Sequence, residues 1–460
     1  MAVPTMTALD ELTGLMTRRS RLVTDPDVLI GYRQDQTSVV PGGAPLAALL
    51  AGSTTDVSTA LAWANRHGIP VVPRGAGTSL AGGASAVSGG LVVVTTSMSQ
   101  IRELAPLDRI AVVEAGVVTA DLDRAAAEHG LMHAPDPSSY ETSTIGGNVA
   151  TNAGGLRCVK YGVTRQAVLG LEVVLPDGRV LRTGGRTTKD TAGYDLTGLF
   201  TGSEGTLGVI TAATIRLQPR PAGEPVTLAA AFGSLAAAGA AVFDMVAARL
   251  DVSMLELLDS TTLRAIDAWK RMGLADVGAM LIVQCDGADQ AAVAAEVTRL
   301  CRGAGASDVA ESADAQESAQ LLAIRRLAYP AAERLGACLV EDVGVPVSKL
   351  PEMVERIEMI ADRYAVRVLT VAHAGDGNLH PTFIFEHGRG IPAAVRTAAD
   401  EVFATALELG GTITGEHGVG VLKKAWLANQ IGGVGIDVSR RIRQALDPAG
   451  IMNPGKVFEI

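Results

Sequence analysis

The 460-residue chain has no lysine-rich or arginine-rich run, and its formal net charge is −10. Phosphate backbones are held by a basic face, so this balance argues against a nucleic-acid partner. Cysteine is scarce: Cys158, Cys285, Cys301 and Cys338, none in a CxxC pair. That argues against an iron–sulfur cluster, a thiolate zinc site and a disulfide framework. No stretch offers the roughly 20 uncharged apolar residues of a membrane span. The start, MAVPTMTALDELTGLM, lacks the basic-then-apolar order of a signal peptide. A cytoplasmic protein is expected.

What is present is apolar residue and glycine. Hydrophobic residues make up 48%, enough for ample burial. A chain this long exceeds one core and implies two or three domains. The 52 glycines point to tight turns and to backbone surfaces that approach a ligand.

Residues 8–20 read as a short amphipathic helix. Thr54 or Thr55 caps a helix carried by Val57, Ala60, Leu61 and Ala64 and stopped by Gly68. A strand at 69–73 leads into Arg74-Gly-Ala-Gly-Thr-Ser-Leu-Ala-Gly-Gly83. This loop can wrap a phosphate with backbone N–H groups, Thr78 and Ser79, or serve as a structural turn. It has neither a Walker ending nor the spacing of a dinucleotide fingerprint. Strands follow at 91–95 and 110–114, with a helix from Thr119 to about His129. Residues 134–166 show little periodicity, yet are rich in Ser, Thr, Asn and Gly and carry Ile145, Val149 and Ala150. They read as a surface shaped around a large polar cofactor, with a surface loop as the alternative. A hairpin at 168–183, the turn Thr201-Gly-Ser-Glu-Gly-Thr-Leu-Gly208 and a strand at 210–217 precede Pro219-Arg-Pro221, a domain boundary.

Beyond it the texture changes. Strands at 226–232, 253–258, 279–285 and 307–310 alternate with helices at 234–249, 260–271 and 289–302. A second run places strands at 337–341, 366–372, 380–386 and 411–414, and helices at 349–363 and 392–409. Each run approximates β-α-β-β-α-β, a ferredoxin-like unit, and predicts an antiparallel sheet with helices on one face. Within the second lie His373-Ala-Gly-Asp-Gly-Asn-Leu-His380 and, just past its last strand, Gly415-Glu416-His417-Gly418. His373, His380 and Glu416 are a donor set for a divalent ion, with His417 left as a base. Gly-Asp-Gly-Asn is equally a turn between strands. His67, His129, His133 and His387 carry no functional signal.

The ordered phrases PRGAGTS, TIGGNVATNAGG with KYG, GSEGTLGVIT, HAGDGNLH, GEHGVG and NPGKVF closely resemble the FAD-linked oxidases of the vanillyl-alcohol-oxidase/PCMH fold. Within them the chain looks most like the D-2-hydroxyacid dehydrogenases: the glycolate oxidase D-subunit, flavin-linked D-lactate dehydrogenase and D-2-hydroxyglutarate dehydrogenase. The resemblance implies an α+β protein with an N-terminal extension (1–39) and a PCMH-type FAD-binding domain (40–219). A ferredoxin-like, antiparallel-sheet substrate or cap domain (220–428) and a strap returning to the FAD domain (429–460) complete it. It implies that Arg74, Gly75, Ala76, Gly77, Thr78 and Ser79 wrap the FAD pyrophosphate. Further FAD contacts are implied at Pro135, Asp136, Ser138, Thr144, Gly146, Gly147, Asn148, Ala150, Thr151, Asn152 and Gly154. Glu204, Gly205, Gly208, Ile210 and Asn453 join them. Residues 74–90 hold no His or Cys, so the FAD is expected to be non-covalent.

The resemblance also implies a divalent metal, zinc foremost, on His373, His380 and Glu416, with His417 as catalytic base. Arg325 falls on the family's substrate-carboxylate arginine, although Leu322 replaces the usual tryptophan and Arg326 is adjacent. The lysine and asparagine of 2-hydroxyglutarate enzymes are absent at Val340 and Thr382, which argues against a dicarboxylic substrate. The expected reaction is oxidation of a D-2-hydroxy acid such as D-lactate or glycolate, with electrons leaving to an external quinone, cytochrome or flavoprotein. The alternative is the FAD-binding D-subunit of a multi-subunit glycolate oxidase. A carbohydrate or alcohol oxidase using oxygen fits the metal phrase less well. A homodimer and a peripheral membrane contact stay open.

Overall fold

The computed structural model describes residues 6–37, 39–388 and 390–458; the first five residues of the expected N-terminal extension lie outside them. The chain forms two compact units. One comprises residues up to Gly154, Gly162–Arg220 and the chain from Glu416 onward; the other comprises Gly155–Tyr161 and Pro221–Gly415.

The first unit holds two main sheets. Strands β1 (Arg21–Val23), β2 (Ala47–Leu50), β3 (Val71–Arg74) and β4 (Leu91–Val94) lie in the order β1-β2-β4-β3. Strands β2 and β3 run parallel to β4. The helix Thr54–His67 links β2 to β3. Its cap is Ser53, one residue before the expected threonines, whose hydroxyl accepts the Asp56 N–H. Gly68 ends it in the left-handed region, at φ +62°. Its Val57, Ala60, Leu61 and Ala64 are buried against Leu49, Val71 and Leu91 of the sheet.

The second sheet is antiparallel: β5 (Ile101–Ala105), β6 (Ile110–Glu114), β8 (Val168–Val174), β9 (Val180–Gly184) and β10 (Val209–Arg216), in the order β5-β6-β10-β8-β9. A short pair joins β7 (Leu131–Met132) to β11 (Gln218–Pro219). The segment 134–166, expected without regular structure, instead carries the helices Ile145–Thr151, Cys158–Tyr161 and Thr164–Ala167. Gly146 and Gly147 hide the first of these from propensity. The Thr144 cap and the burial of Ile145 and Val149 decide it. The C-terminal strap likewise begins as a helix, Leu427–Leu446, interrupted at Gly432 (φ 72°).

The second unit is one sheet of eight strands. Its members are β12 (Val226–Phe232), β13 (Val252–Asp259), β14 (Ala279–Cys285), β15 (Ala306–Glu311), β16 (Ala337–Val340), β17 (Val343–Gly344), β18 (Arg367–His373) and β19 (Asn378–Phe385). The order is β15-β12-β14-β13-β18-β19-β16, with β17 also on β19. Every pairing is antiparallel. Two ferredoxin-like halves thus join edge to edge through β13 and β18. The last expected strand, 411–414, is reduced to one bridge between Thr412 and Gly344. Helices cover both faces, not one. Leu263, Ile266, Ile324, Ala328 and Ala331 pack on Met254, Leu258, Ile282 and Val371, and the remaining helices cover the other face. This is why β13 and β14 are buried at every residue.

Candidate active site

The turn between β18 and β19 brings the two histidines together. His373 ends β18, and its carbonyl accepts the N–H groups of Asp376 and Gly377 at 3.2 and 3.0 Å. Gly377 takes φ +81°, so the chain reverses within four residues and His373 pairs with Asn378. Residues directly opposed on neighbouring strands share a face. His380 therefore projects on the same side as His373. Both are buried, and their rings meet edge to face with centroids 5.0 Å apart.

Glu256 on β13 is the cross-strand partner of His373. It is fully buried, and its Oε1 lies 2.6 Å from His373 Nδ1. Its Oε2 accepts from Arg325 Nε, also at 2.6 Å. Burial opposes ionisation of Glu256, but His373 and Arg325 outweigh it and hold the carboxyl below its ordinary range. Arg325 comes from the helix Ala315–Arg326 over this face, while Arg326 is exposed. On the other side of His380 lies a second fully buried carboxylate, Asp342, with Oδ1 3.9 Å from His380 Nδ1. Asp342 accepts from Asn378 Nδ2 (2.6 Å), Thr414 Oγ1 (2.7 Å) and the Gly415 N–H (2.9 Å). It thereby anchors the residue just before Glu416. Val340 and Thr382 oppose each other on this same face, next to the histidines.

In the first unit the glycine loops are built for close approach. A Cβ on Gly75 would come within 2.5 Å of Thr144 Oγ1, and one on Gly205 within 2.9 Å of Pro73 Cγ. Arg74 folds back, its Nη1 donating to the Ala84 carbonyl at 3.2 Å. Several expected FAD residues brace the loops with their side chains. Thr144 caps the Gly147 N–H, Asn148 Nδ2 donates to Thr119 Oγ1, and Asn152 Oδ1 accepts the Arg165 N–H. Thr151 Oγ1 donates to the Gly147 carbonyl, and Gly146 packs against Ala115. Glu204 is buried and accepts the N–H groups of Val419 and Gly420, each at 2.8 Å. Asn453 Nδ2 donates to the carbonyls of Gly83 and Glu204. Gly208 backs onto the Val174 carbonyl, and Ile210 is buried in β10. Ala76 and Ser138 are exposed, Thr78, Ser79, Asp136 and Ala150 half-buried, and Pro135 buried. What these loops present is largely backbone, which suits a dinucleotide. Glu416 and His417 also lie here, with His417 Nε2 3.7 Å from Glu416 Oε1, and Gly154 leaves room for the Glu416 carboxylate.

Glu256 and Asp342 escaped the sequence reading. The signal for Glu256 was a lone carboxylate inside the apolar strand Val-Ser-Met-Leu-Glu-Leu-Leu-Asp259. Asp342 stands beside Glu341 after a strand, which reads as an ordinary solvated end.

Residues 45–184 match the family model of an FAD binding domain, and residues 223–457 match that of the FAD linked oxidases, C-terminal domain. The glycolate oxidase subunit GlcD of Bacillus subtilis is 42% identical over 90% of this chain and 89% of its own. GlcD of Escherichia coli K12 is 38% identical over 90% of this chain and 83% of its own. A D-lactate dehydrogenase of Archaeoglobus fulgidus is 36% identical over 93% of this chain and 95% of its own. Among solved structures, substrate-bound p-cresol methylhydroxylase aligns with a TM-score of 0.80 at 18% identity, covering 98% of this chain and 96% of that one. At that identity the likeness concerns the fold alone. Both halves of the chain and its relatives agree: it belongs to the FAD-linked oxidase family and is an FAD-dependent oxidoreductase of the PCMH-type fold.

Proposed function

We propose that the protein oxidises a small D-2-hydroxy acid, of the D-lactate or glycolate class, to the 2-oxo acid. The observation that carries this is the row Arg325, Glu256, His373, His380 on one face of the sheet: a cation for a carboxylate beside a histidine pair. The names of the relatives, glycolate oxidase subunit and D-lactate dehydrogenase, point to the same substrates. FAD, held non-covalently by the glycine loops of the first unit, supplies the hydride acceptor when bound.

His373, His380 and Glu416 would hold a divalent ion, zinc by choice of donors. The donor set fits: two buried imidazoles, one oriented by a carboxylate as metal-bound histidines are. Such an ion, when bound, lowers the pKa of a substrate hydroxyl. With Nδ1 committed to Glu256, His373 would coordinate through Nε2. Arg325, its Nε fixed by Glu256, turns its Nη edge to the substrate carboxylate. His417 accepts the hydroxyl proton on a ring nitrogen. Val340 and Thr382 place no cation near the histidines, so a second carboxylate finds no partner there.

The second unit is accordingly the substrate unit. Electrons leave to an external quinone, cytochrome or flavoprotein. The word "subunit" in the relatives' names supports a second reading, in which partner chains complete a glycolate oxidase assembly. One experiment separates the two: the purified chain is assayed with D- and L-2-hydroxy acids and a dye acceptor, before and after chelation. Turnover on D-acids that chelation abolishes is expected. His417→Ala should retain acid-releasable FAD and lose about a hundredfold or more of turnover. No turnover without added subunits would favour the assembly, and a near-wild-type His417→Ala would remove the base.

A further inference from the structure

Glu256 has both carboxylate oxygens committed, one to a ring nitrogen of His373 and one to Arg325 Nε, each at 2.6 Å. It is wholly buried in β13, among Met254, Leu258, Ile282 and Val371. A lone carboxylate there is costly, and the Arg325 guanidinium together with the His373 ring nitrogen makes it tenable. The same contacts do something more specific. A carboxylate is planar and rigid, so its two short hydrogen bonds fix the position of His373 Nδ1 relative to Arg325 Nε. The cross-strand register sets this alignment: Glu256 opposes His373 directly, and the helix Ala315–Arg326 lays Arg325 over the same face.

We propose that Glu256 is a positioning residue that couples the two halves of substrate recognition. It holds His373 in the Nδ1–H tautomer, with Nε2 directed at the metal, and it aims Arg325 at the substrate carboxylate. The geometry of metal and carboxylate binding is then set by one side chain rather than two. This proposal rests on the roles proposed above for His373 and Arg325.

Glu256→Gln keeps the shape but replaces one acceptor oxygen by a donor nitrogen. In FAD-loaded protein, zinc affinity measured by chelator competition is expected to fall about 10–100-fold. KM for D-lactate or glycolate should rise about tenfold or more, beyond any fall in kcat, with FAD content unchanged. A purely structural ion pair would lower melting temperature while leaving zinc affinity and KM in place, and that result would overturn the proposal. Failure of the underlying reading is distinguishable: the wild type would then bind no zinc in the same titration, or Arg325→Lys would leave KM unchanged. Should the variant not accumulate as folded protein, the wild type answers directly. With 15N-histidine labelling, long-range 1H–15N spectra read the His373 tautomer. A proton on Nδ1 and a zinc-induced shift at Nε2 are expected; a proton on Nε2, or a zinc shift at Nδ1, overturns the proposal.

Discussion

A buried lysine shows how single residues hold the loops of the FAD-binding domain in shape. Lys456 is 3% exposed and donates to the Ser85 carbonyl and to Asn453 Oδ1. Burial pushes its ammonium down to about 8, although Asp35 and Glu204 pull the other way. An unfolded lysine titrates near 10.5. Below pH 8 both states are charged and the burial cost stands in full. Between about 8 and 10.5 the unfolded chain holds more protons, so stability rises with pH. Relative to Lys456→Met, the wild type should gain on the order of 2 kcal/mol between pH 7.5 and 10 in denaturant titrations. A difference that stays flat across that range would show that the ammonium is not desolvated. Residues of this kind are the hardest to read from a chain. Lys456 sits in the turn-rich phrase Asn-Pro-Gly-Lys456, where a lysine ordinarily faces water. The histidines and Glu416, by contrast, stand out because their chemistry and glycine neighbours are local in sequence. Glu256 and Arg325 are 69 positions apart, and only the sheet register brings them together.

At the level of elements, the turn from β18 to β19 sets the spacing of the histidine pair. A Cβ on Gly377 would meet the Val345 carbonyl oxygen at 2.1 Å, and its φ of +81° disfavours any side chain. Gly377→Ala should therefore cost about 2 kcal/mol or more and, on the metal reading proposed above, weaken zinc binding. Calorimetry and elemental analysis read the two effects, and unchanged values for both would mean that the turn adapts freely. Strands were legible where apolar runs are bounded by turn residues: Ile110–Glu114, Val226–Phe232 and Ala279–Cys285 lie where the sequence predicts them. Helices hidden by glycine were not. Ile145–Thr151 and the kinked Leu427–Leu446 depend on burial and capping rather than propensity. The helices Ala315–Arg326 and Ala328–Glu333, which cover the second face of the sheet, were missed as well. Their apolar positions serve a sheet face that the sequence reading left open to solvent.

For the whole molecule, the decisive property is that the first unit is assembled from both ends of the chain. Residues from Glu416 onward pack with residues up to Gly154 and Gly162–Arg220. Met452 bridges to Val71, and the Asn453 N–H donates to the Val71 carbonyl. A chain ended after Gly415 should lose FAD and melt at lower temperature, because Glu204 and the loop at Gly83 lose their partners. A truncated protein that kept its yellow colour through gel filtration would show that the tail is dispensable for the cofactor. The same closure has a consequence for biosynthesis. Glu204 waits for amides 215 and 216 positions further on, so the whole of Pro221–Gly415 is synthesised before this carboxylate finds its partners. The strands of Pro221–Gly415 are by then available to pair among themselves. Flavin capture is then expected to be a late event, with holoprotein forming only from chains translated past Asn453.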